Sequence, residues 1–490
     1  MSERALIFFG IGVYIVAMLA IAYFASRRTR TVSDFIVAGR SMPLWLCTTT
    51  LIATWFGGGM MMGGSGAAYE SGLLGVIADP FGATLCLVLV GLFFIRLLRR
   101  LKFYTHVDFL QQRYGTTAAV VGSLAQIWGS TFWVASMLVA FGLIFQTLTG
   151  TPLVTGIVGG ALVVVVYTAV GGMWAVALTD MIQIVIVALG LVILLVVVLH
   201  DAGGWGAVAA RLPEQTFRLV PLEHSLDNWL DYLRAWFIFG LADIASQSLI
   251  QRGLSARTEG VAQASFYLAA LGYISFAMIP VTLGIIASVT LPGLEDPESI
   301  LPVLAIEHLH PAAVAVFVGA LLAAIMSSAD SALLASASVV SSNLLPMVHR
   351  DPSERLSLLV VRWAVPAFGL LAVLIALNAR VVYDTMLDGS MLALVAITVP
   401  FAFGIWWKRA NRAGALAAIA AGLLTWFGAS LLAPAWPGDL LGFAASLVAM
   451  LLVTPLTQRL DPPRPLVDKD GCPAVFSDRL GTLGLRSAGR

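Results

Sequence analysis

The stretch that decides the fold is TLIATWFGGGMMMGGSG, residues 50–66, which has six glycines among the ten residues 57–66. Each glycine weakens a helix by about 1 kcal/mol relative to alanine, so this run predicts an unwound segment inside an apolar span. Close packing of membrane helices is the alternative explanation, because small residues let two backbones approach each other. The polar residues and interruptions elsewhere in the chain help to decide between an unwound segment and close helix packing.

The chain as a whole is strongly apolar. It has 490 residues, of which 59% are hydrophobic and 11% charged, and a mean hydropathy of +0.92. These values predict an all-α polytopic protein whose surroundings are the lipid bilayer. A net charge of +1 does not indicate nucleic acid as a partner, and the three cysteines lack the spacing of a disulfide framework or a metal site. The six histidines fall in or near loops without an HExxH or GxSxG motif, so we do not expect an enzyme.

About thirteen apolar runs are long enough to cross a membrane. They lie at 5–25, 42–66, 72–97, 118–148, 153–176, 178–200, 227–250, 261–290, 311–345, 357–378, 385–406, 413–433 and 438–457. With the N-terminus outside and the C-terminus in the cytoplasm, 23 of the 28 Lys and Arg residues fall on the inner side, as the positive-inside rule requires. We therefore predict an integral protein of the cell (plasma or inner) membrane with this orientation.

The seventh span is interrupted like the second, because FIFGLADIASQS places Gly240, Asp243, Ser246 and Gln247 inside it. The seventh span comes five spans after the second, so we predict that spans 2–6 and 7–11 form two repeats of opposite orientation. Secondary transporters have this layout, with broken helices around a central site. The predicted parts are a first helix and loop (1–41), a five-helix repeat (42–200), an extracellular loop (201–226), an inverted repeat (227–406), two further helices (407–460) and a mobile cytoplasmic tail (461–490).

A carboxylate in the ninth span, AAIMSSADSALLASA (323–337), indicates a binding site. On a helix Ser327, Asp330 and Ser331 stand at i, i+3 and i+4, and therefore on one face. Hard cations prefer the oxygen ligands that this face offers. Alternatively, the serines bond to carbonyls of their own helix and Asp330 pairs with another helix.

The sequence resembles the sodium:solute symporter family from about residue 33 to 460. The resemblance rests on SDFIVAGRSMP (33–43), DFLQQRYG (108–115), YTAVGGMWAVALTD (167–180), QRGLSA (251–256) and AAIMSSADS (323–331), which occur in family order. It implies a LeuT-like fold with a 5+5 inverted repeat. Within the family, ATWFGGG and SSADS are most similar to the choline-type carriers.

The resemblance also implies binding residues. A site for the sodium ion (Na⁺) would be formed by Ala53, Phe56, Ala324, Ser327 and Ser328, and a second sodium site by Asp180, Ser327, Asp330 and Ser331. Trp55 and Trp133 match positions of an aromatic cage that binds quaternary ammonium ions by cation–π attraction, whereas Ala83 and Ser246 stand where two other aromatic walls are expected. The solute site would comprise Trp55, Met60, Ala83, Trp133, Asp243, Ser246 and Gln247, with Asp243 available to an amine. Both tryptophans could instead serve at the lipid interface or in packing.

These observations predict sodium-coupled import of a small polar or cationic organic solute that resembles choline, betaine, an amine or an amino acid. Proton coupling through Asp330 or Asp180 is one alternative. A membrane solute sensor that keeps the fold without transport is another. The sequence does not define the solute, the sodium stoichiometry or the oligomeric state.

Overall fold

The computed structural model describes residues 12–13, 16–21, 23–24, 31–379 and 381–474, without the side chains at 167, 170 and 171. The first predicted span, 5–25, lies largely outside the described residues, and the end of the chain from 475 lies wholly outside them. In chain order the α-helices are α1 (Val32–Val37), α2 (Leu44–Trp55), α3 (Gly64–Ser71), α4 (Ala83–Phe93), α5 (Ile95–Leu101), α6 (His106–Tyr114), α7 (Thr116–Thr149), α8 (Leu153–Asp201), α9 (Trp205–Ala209), α10 (Leu226–Gly240), α11 (Gln247–Ser255), α12 (Glu259–Thr290), α13 (Ile300–His308), α14 (Pro311–Val339), α15 (Leu345–Val348), α16 (Glu354–Ala376), α17 (Val382–Ala396), α18 (Thr398–Trp406), α19 (Arg412–Leu432) and α20 (Gly438–Thr457). The prediction of an all-α protein is thus confirmed.

The second predicted span is interrupted immediately after Trp55, as its glycines predict. Phe56 has φ −76° and ψ 68°, and the N–H of Gly57 donates to the carbonyl oxygen of Trp55 at 2.8 Å, which makes an inverse γ-turn. One π-helical turn, Gly59–Gly63, then leads into α3. A Cβ atom on Gly57 would lie 2.5 Å from the hydroxyl oxygen of Ser328, so the close approach of the two segments requires glycine here.

The seventh predicted span is interrupted in the same way. Helix α10 ends at Gly240, a 3₁₀ turn covers Ala242–Ala245, and Ser246 is extended before α11 begins. Both predicted interruptions are therefore confirmed, and each leaves a short segment without α-helical hydrogen bonds between two helices.

A third break separates the predicted spans 153–176 and 178–200. The chain is helical from Leu153 to Asp201 except at Gly172, where φ is +67°. Glycine adopts this left-handed conformation without steric cost, and a Cβ atom here would lie 2.9 Å from the ring of Phe35. The boundary between the two spans is thus at 172, a few residues before the predicted position.

Within the described residues, eight helices are long and apolar enough to cross a membrane, and α17 with α18 would add a ninth as a pair bent by 48°. The shorter apolar helix Leu44–Trp55 belongs to the interrupted second span, and Leu153–Val166 is the part of α8 that precedes the break at Gly172. The total of thirteen spans and the division of the chain into six parts stay predictions.

Helix α14 lies at the centre of the molecule and α16, α19 and α20 lie at its edge. Every residue of α14 from 317 to 339 is buried, and this helix packs against α2, α7, α8 and α11. The outer helices instead expose large apolar side chains such as Leu374, Phe427 and Leu456. Apolar side chains on the outer surface match a hydrocarbon environment, so the core helices are those that can hold a polar site.

A buried acid joins the connection between α12 and α14 to the start of α17. The Glu298 carboxylate accepts the backbone N–H groups of Val382 and Tyr383, both at 2.8 Å. Burial raises the pKa of Glu298 to about 7, from an ordinary value of 4.5. The first turn of α17 thereby has an acceptor for two of its free N–H groups.

Residues 461–474, which we name the C-terminal strap, pack against the connection between α5 and α6. The backbone N–H of Lys469 donates to the carbonyl oxygen of Leu101 at 3.0 Å, and its ammonium donates to the hydroxyl of Tyr104 at 2.7 Å. Lys102 forms an ion pair with Asp468 at 3.3 Å. The expectation of a mobile extension does not describe these fourteen residues, because backbone and side-chain bonds hold them; residues 475–490 lie outside the described part.

Candidate ion and solute sites

Five oxygen atoms converge where the end of α2 meets the middle of α14. The Ser327 hydroxyl donates to the carbonyl oxygens of Ala324 at 2.9 Å and Ala53 at 3.2 Å. The Ser328 hydroxyl donates to the carbonyl oxygen of Thr54 at 2.5 Å. All five residues are buried. We name these three carbonyl and two hydroxyl oxygens the oxygen cluster.

The turn after Trp55 explains why two carbonyls of α2 are available to α14. In a continuous helix, the N–H groups of Gly57 and Gly58 would donate to the carbonyls of Ala53 and Thr54. Here the N–H of Gly57 donates to Trp55 instead, and that of Gly58 faces the sulfur of Met137 at 3.1 Å. The glycine run therefore releases two carbonyl oxygens, and the serines of α14 bind them.

Four of the five residues predicted for the first sodium site take part in the oxygen cluster. Phe56, the fifth, is the central residue of the turn, and its ring packs edge-to-face against Tyr273 with 6.3 Å between ring centroids. Its carbonyl oxygen is not among the acceptors of the serine hydroxyls described above. The carbonyl oxygen of Thr54 is a further acceptor that sequence reasoning missed. The type of side chain at position 54 does not indicate whether the backbone carbonyl is available.

The donor set of the oxygen cluster fits sodium. Carbonyl and hydroxyl oxygens are the ligands that hard cations prefer, and they are electrically neutral in this cluster. A monovalent ion suits a neutral set better than a divalent ion, which usually requires carboxylates. When an ion binds, both hydroxyl hydrogens turn away from the carbonyls so that the oxygen lone pairs face the ion.

A second polar group lies one turn further along α14. The Ser331 hydroxyl donates to the carbonyl oxygen of Ser327 at 2.7 Å and to Asp330 Oδ1 at 3.2 Å. The Asp180 carboxylate of α8 accepts the hydroxyl of Thr50 from α2. The residues predicted for a second sodium site thus lie in one buried region, although Ser327 contributes its carbonyl to these bonds.

Arg252 connects the members of this second group. Its Nη2 lies 3.8 Å from Asp180 Oδ2 and donates to the Ser331 hydroxyl, while Nη1 donates to the carbonyl oxygen of Ser248 at 2.9 Å. Asp330 is close enough to interact electrostatically with the guanidinium. No part of the Arg252 side chain is exposed, and a buried arginine requires such partners.

Sequence reasoning missed Arg252 as a site residue. The helix that contains Asp330 has no Lys or Arg, and Arg252 belongs to α11, in the QRGLSA motif. Four acids inside predicted spans, namely Asp79, Asp180, Asp243 and Asp330, were a signal that a buried base should be sought in another span.

A cavity of about 50 Å³ borders the oxygen cluster, and we name it the central cavity. Four of the seven predicted solute-binding residues line it: Trp55, Trp133, Asp243 and Ser246. Thr54 and Ser328 line it too, so the oxygen cluster forms part of its wall. Sequence reasoning missed further polar lining residues, which are His106, Gln126, Ser130, Ser248 and Ser390.

The other three predicted solute residues do not line this cavity. Met60 is buried in the π-helical turn and Ala83 at the start of α4. Gln247 anchors the second interruption: its Oε1 accepts the backbone N–H of His106 at 2.9 Å, and its Nε2 donates to the carbonyl oxygen of Tyr104 at 3.0 Å. Gln247 therefore holds the second interruption in place beside the central cavity.

Two interrupted helices, an oxygen cluster at one interruption and a cavity between both are the features of a secondary transporter, a class of membrane protein that moves solutes. The model of the sodium:solute symporter family matches residues 35–422. The chain belongs to the sodium:solute symporter family.

Curated relatives and a solved structure agree with this membership. The chain is 31% identical to the high-affinity choline transporter 1 of Drosophila melanogaster over 418 residues, which cover 82% of this chain and 67% of the relative. It is 27% identical to the osmoregulated proline transporter OpuE of Bacillus subtilis (strain 168), over 92% of this chain and 95% of the relative. The structure of a Na⁺-coupled sialic acid symporter matches with a TM-score of 0.79 at 21% identity, covering 92% of this chain and 97% of the other. The fold is accordingly the LeuT-like inverted repeat, and the relatives are transporters.

Proposed function

We propose that this protein is a sodium-driven symporter of the plasma membrane that imports a small polar or cationic organic solute. The observation that carries the proposal is the position of the oxygen cluster. The carbonyls of Ala53 and Thr54 meet Ser327 and Ser328, and the adjacent Trp55 lines the central cavity. An ion bound in the cluster would therefore fix the segment that forms one wall of the solute site.

In the proposed cycle, sodium enters from outside and bridges α2 to α14. This contact stabilises the outward-open arrangement and orders the wall of the cavity that carries Trp55. Solute binds in the central cavity, and rocking of one helix group against the other opens the site inward. The sodium gradient and the membrane potential, which contributes about 2.3 kcal/mol per charge per 100 mV, drive the import.

The names of the relatives support the class of solute. Choline carries a positive charge, and proline carries both a positive and a negative charge; the curated relatives are named as transporters of these two solutes. The central cavity of this chain combines two indole rings with one carboxylate and several hydroxyl groups. Such a lining suits a solute with a cationic group, since indole faces and carboxylates both attract cations.

A second sodium ion at Asp180, Ser327, Asp330 and Ser331 is part of the proposal, with Arg252 as an additional partner. Asp180 lies 3.8 Å from the guanidinium and Asp330 interacts with it electrostatically, so two buried carboxylates lie near the Ser331 hydroxyl, and sodium prefers such oxygen ligands. The sodium-to-solute ratio, measured from reversal potentials in proteoliposomes, tests this. A ratio of two is expected for the natural protein and a ratio of one for Asp180→Asn; a ratio of one for the natural protein would exclude the second ion.

Radiolabelled uptake into proteoliposomes tests the function directly. Choline, betaine, proline and small amines are each supplied with an inward gradient of sodium or of N-methylglucamine. Uptake that depends on sodium and increases with an inside-negative potential is expected. Equal uptake in both gradients would exclude sodium coupling, and uptake driven by a pH gradient alone would favour proton coupling through Asp180 or Asp330. Sodium-dependent binding without uptake would favour a solute sensor.

A further inference from the structure

The wall of the central cavity contains one carboxylate whose hydrogen bonds are long. Asp243 lies in the 3₁₀ turn of the second interruption, and only 9% of its surface is exposed. Both of its carboxylate oxygens lie 3.5 Å from the hydroxyl oxygen of Ser390, at the outer limit of a hydrogen bond. An ionised carboxylate can accept about four hydrogen bonds, so Asp243 retains acceptor capacity towards the cavity.

The neighbouring acid Asp79 differs in this respect. Asp79 accepts the hydroxyl of Tyr273 at 2.6 Å, is fully buried, and is not part of the cavity lining. It is close enough to Asp243 for the two carboxylates to repel each other. The lining residues, all of them described, include no Lys or Arg, and His106 is the other titratable group among them. Asp243 is therefore the one carboxylate among the residues that line the central cavity.

We propose that Asp243 binds the charged nitrogen of the transported solute and selects ammonium groups that carry at least one N–H over quaternary ammonium groups. This inference rests on the proposed function, because it specifies the solute of the proposed symporter.

The preference follows from what each type of cation leaves unsatisfied. An N–H group can donate to Asp243 and form a charge-assisted hydrogen bond in a largely buried site. A quaternary ammonium has no hydrogen to donate, so it would cover the carboxylate and leave its free acceptor positions without donors. The nearby hydroxyls of Ser246, Ser248 and Ser390 can add acceptors for further N–H groups.

The two indole rings do not reverse this preference. Trp55 packs edge-to-face against Tyr273, and Trp133 packs edge-to-face against Phe239, so both rings have fixed positions. Cation–π attraction stabilises either type of ammonium and does not require an N–H. The difference in affinity between ammonium groups with an N–H and quaternary ammonium groups therefore comes from the carboxylate. We expect this difference to be at least about 10-fold.

Three matched series of solutes test the proposal on the purified natural protein. They are ethanolamine, N,N-dimethylethanolamine and choline; glycine, dimethylglycine and betaine; and proline with its N,N-dimethyl derivative. Within a series only the methylation of the nitrogen changes. Binding is measured by thermal shift and by calorimetry, with sodium and with N-methylglucamine. In at least one series, the members with an N–H should bind at least about 10-fold more tightly than the quaternary member. Equal or tighter binding of the quaternary members, or no binding in any series, would overturn the proposal.

The variant Asp243→Asn separates charge from shape, and Asp231→Asn is its matched control. The substitution Asp231→Asn removes the same charge from an exposed position of α10 outside the central cavity. We expect Asp243→Asn to abolish the preference within a series, while Asp231→Asn retains it. Stabilisation of Asp243→Asn by sodium alone shows that the variant is folded. An unchanged preference in folded Asp243→Asn would refute the inference. Selection that persists without any sodium dependence would instead refute the proposed coupling and leave the inference intact.

Discussion

The substitution Ser328→Ala tests the proposed sodium site most directly. It removes one oxygen of the cluster and the donor 2.5 Å from the carbonyl oxygen of Thr54, in a residue that is fully buried. A buried polar group that loses its partner costs about 1–3 kcal/mol. If the lost oxygen is a sodium ligand, a loss of this size lowers sodium affinity roughly 5- to 150-fold.

The assay is solute uptake by proteoliposomes at increasing sodium concentration, with the solute at a fixed saturating level. We expect the sodium concentration for half-maximal uptake to rise by that factor in Ser328→Ala. The matched control is Ser336→Ala, which removes a buried hydroxyl two turns further along α14 that has no hydrogen-bond partner among the described residues. An unchanged sodium dependence in Ser328→Ala, with normal folding, would remove this residue from the ion site. An equal effect of both variants would indicate general damage to α14.

Three further predictions concern other parts of the fold. Gly57→Ala should abolish sodium-dependent uptake, because its Cβ would lie 2.5 Å from a serine hydroxyl; Gly319→Ala, with no atom within 4 Å of the added carbon, should retain it. Deletion of 461–490 should lower the melting temperature by about 2–4 °C relative to deletion of 475–490, because only the first removes the strap and its bonds. With a pKa raised to about 7, Glu298 binds its proton more strongly in the folded protein, so its contribution to stability falls as pH rises from 5 to 8. Thermal unfolding across this range should depend less on pH in Glu298→Gln, and an unchanged dependence would contradict the assignment.

The sequence predicts the interruptions of the fold well because their causes are local. The glycines at 57–59 disfavour a helix wherever they occur, and Asp243 and Ser246 are costly in an apolar span unless they face a polar site. The face that carries Ser327, Asp330 and Ser331 follows from helical spacing alone.

Contacts between distant segments could not be predicted in the same way. The guanidinium of Arg252 meets Asp180 across 72 positions of the chain, and spacing within one helix contains no information about this pair. The Thr54 carbonyl is free to accept from Ser328 because the N–H groups of Gly57 and Gly58 do not continue the helix. The identity of the Thr54 side chain contains no information about this. The C-terminal strap is polar and aperiodic, yet its backbone forms a hydrogen bond with the connection between α5 and α6. Composition alone does not predict such a contact.

The segment from Ala53 to Trp55 has a further consequence. Within three successive residues it offers two carbonyls to the proposed ion and one indole to the proposed solute. Because the three residues form the end of helix α2, an ion that orders the carbonyls also orders the indole. Thermodynamic linkage then makes the effect reciprocal: the factor by which sodium increases solute affinity equals the factor by which solute increases sodium affinity. The end of helix α2 would thus determine how tightly the transport of sodium is coupled to the transport of the solute.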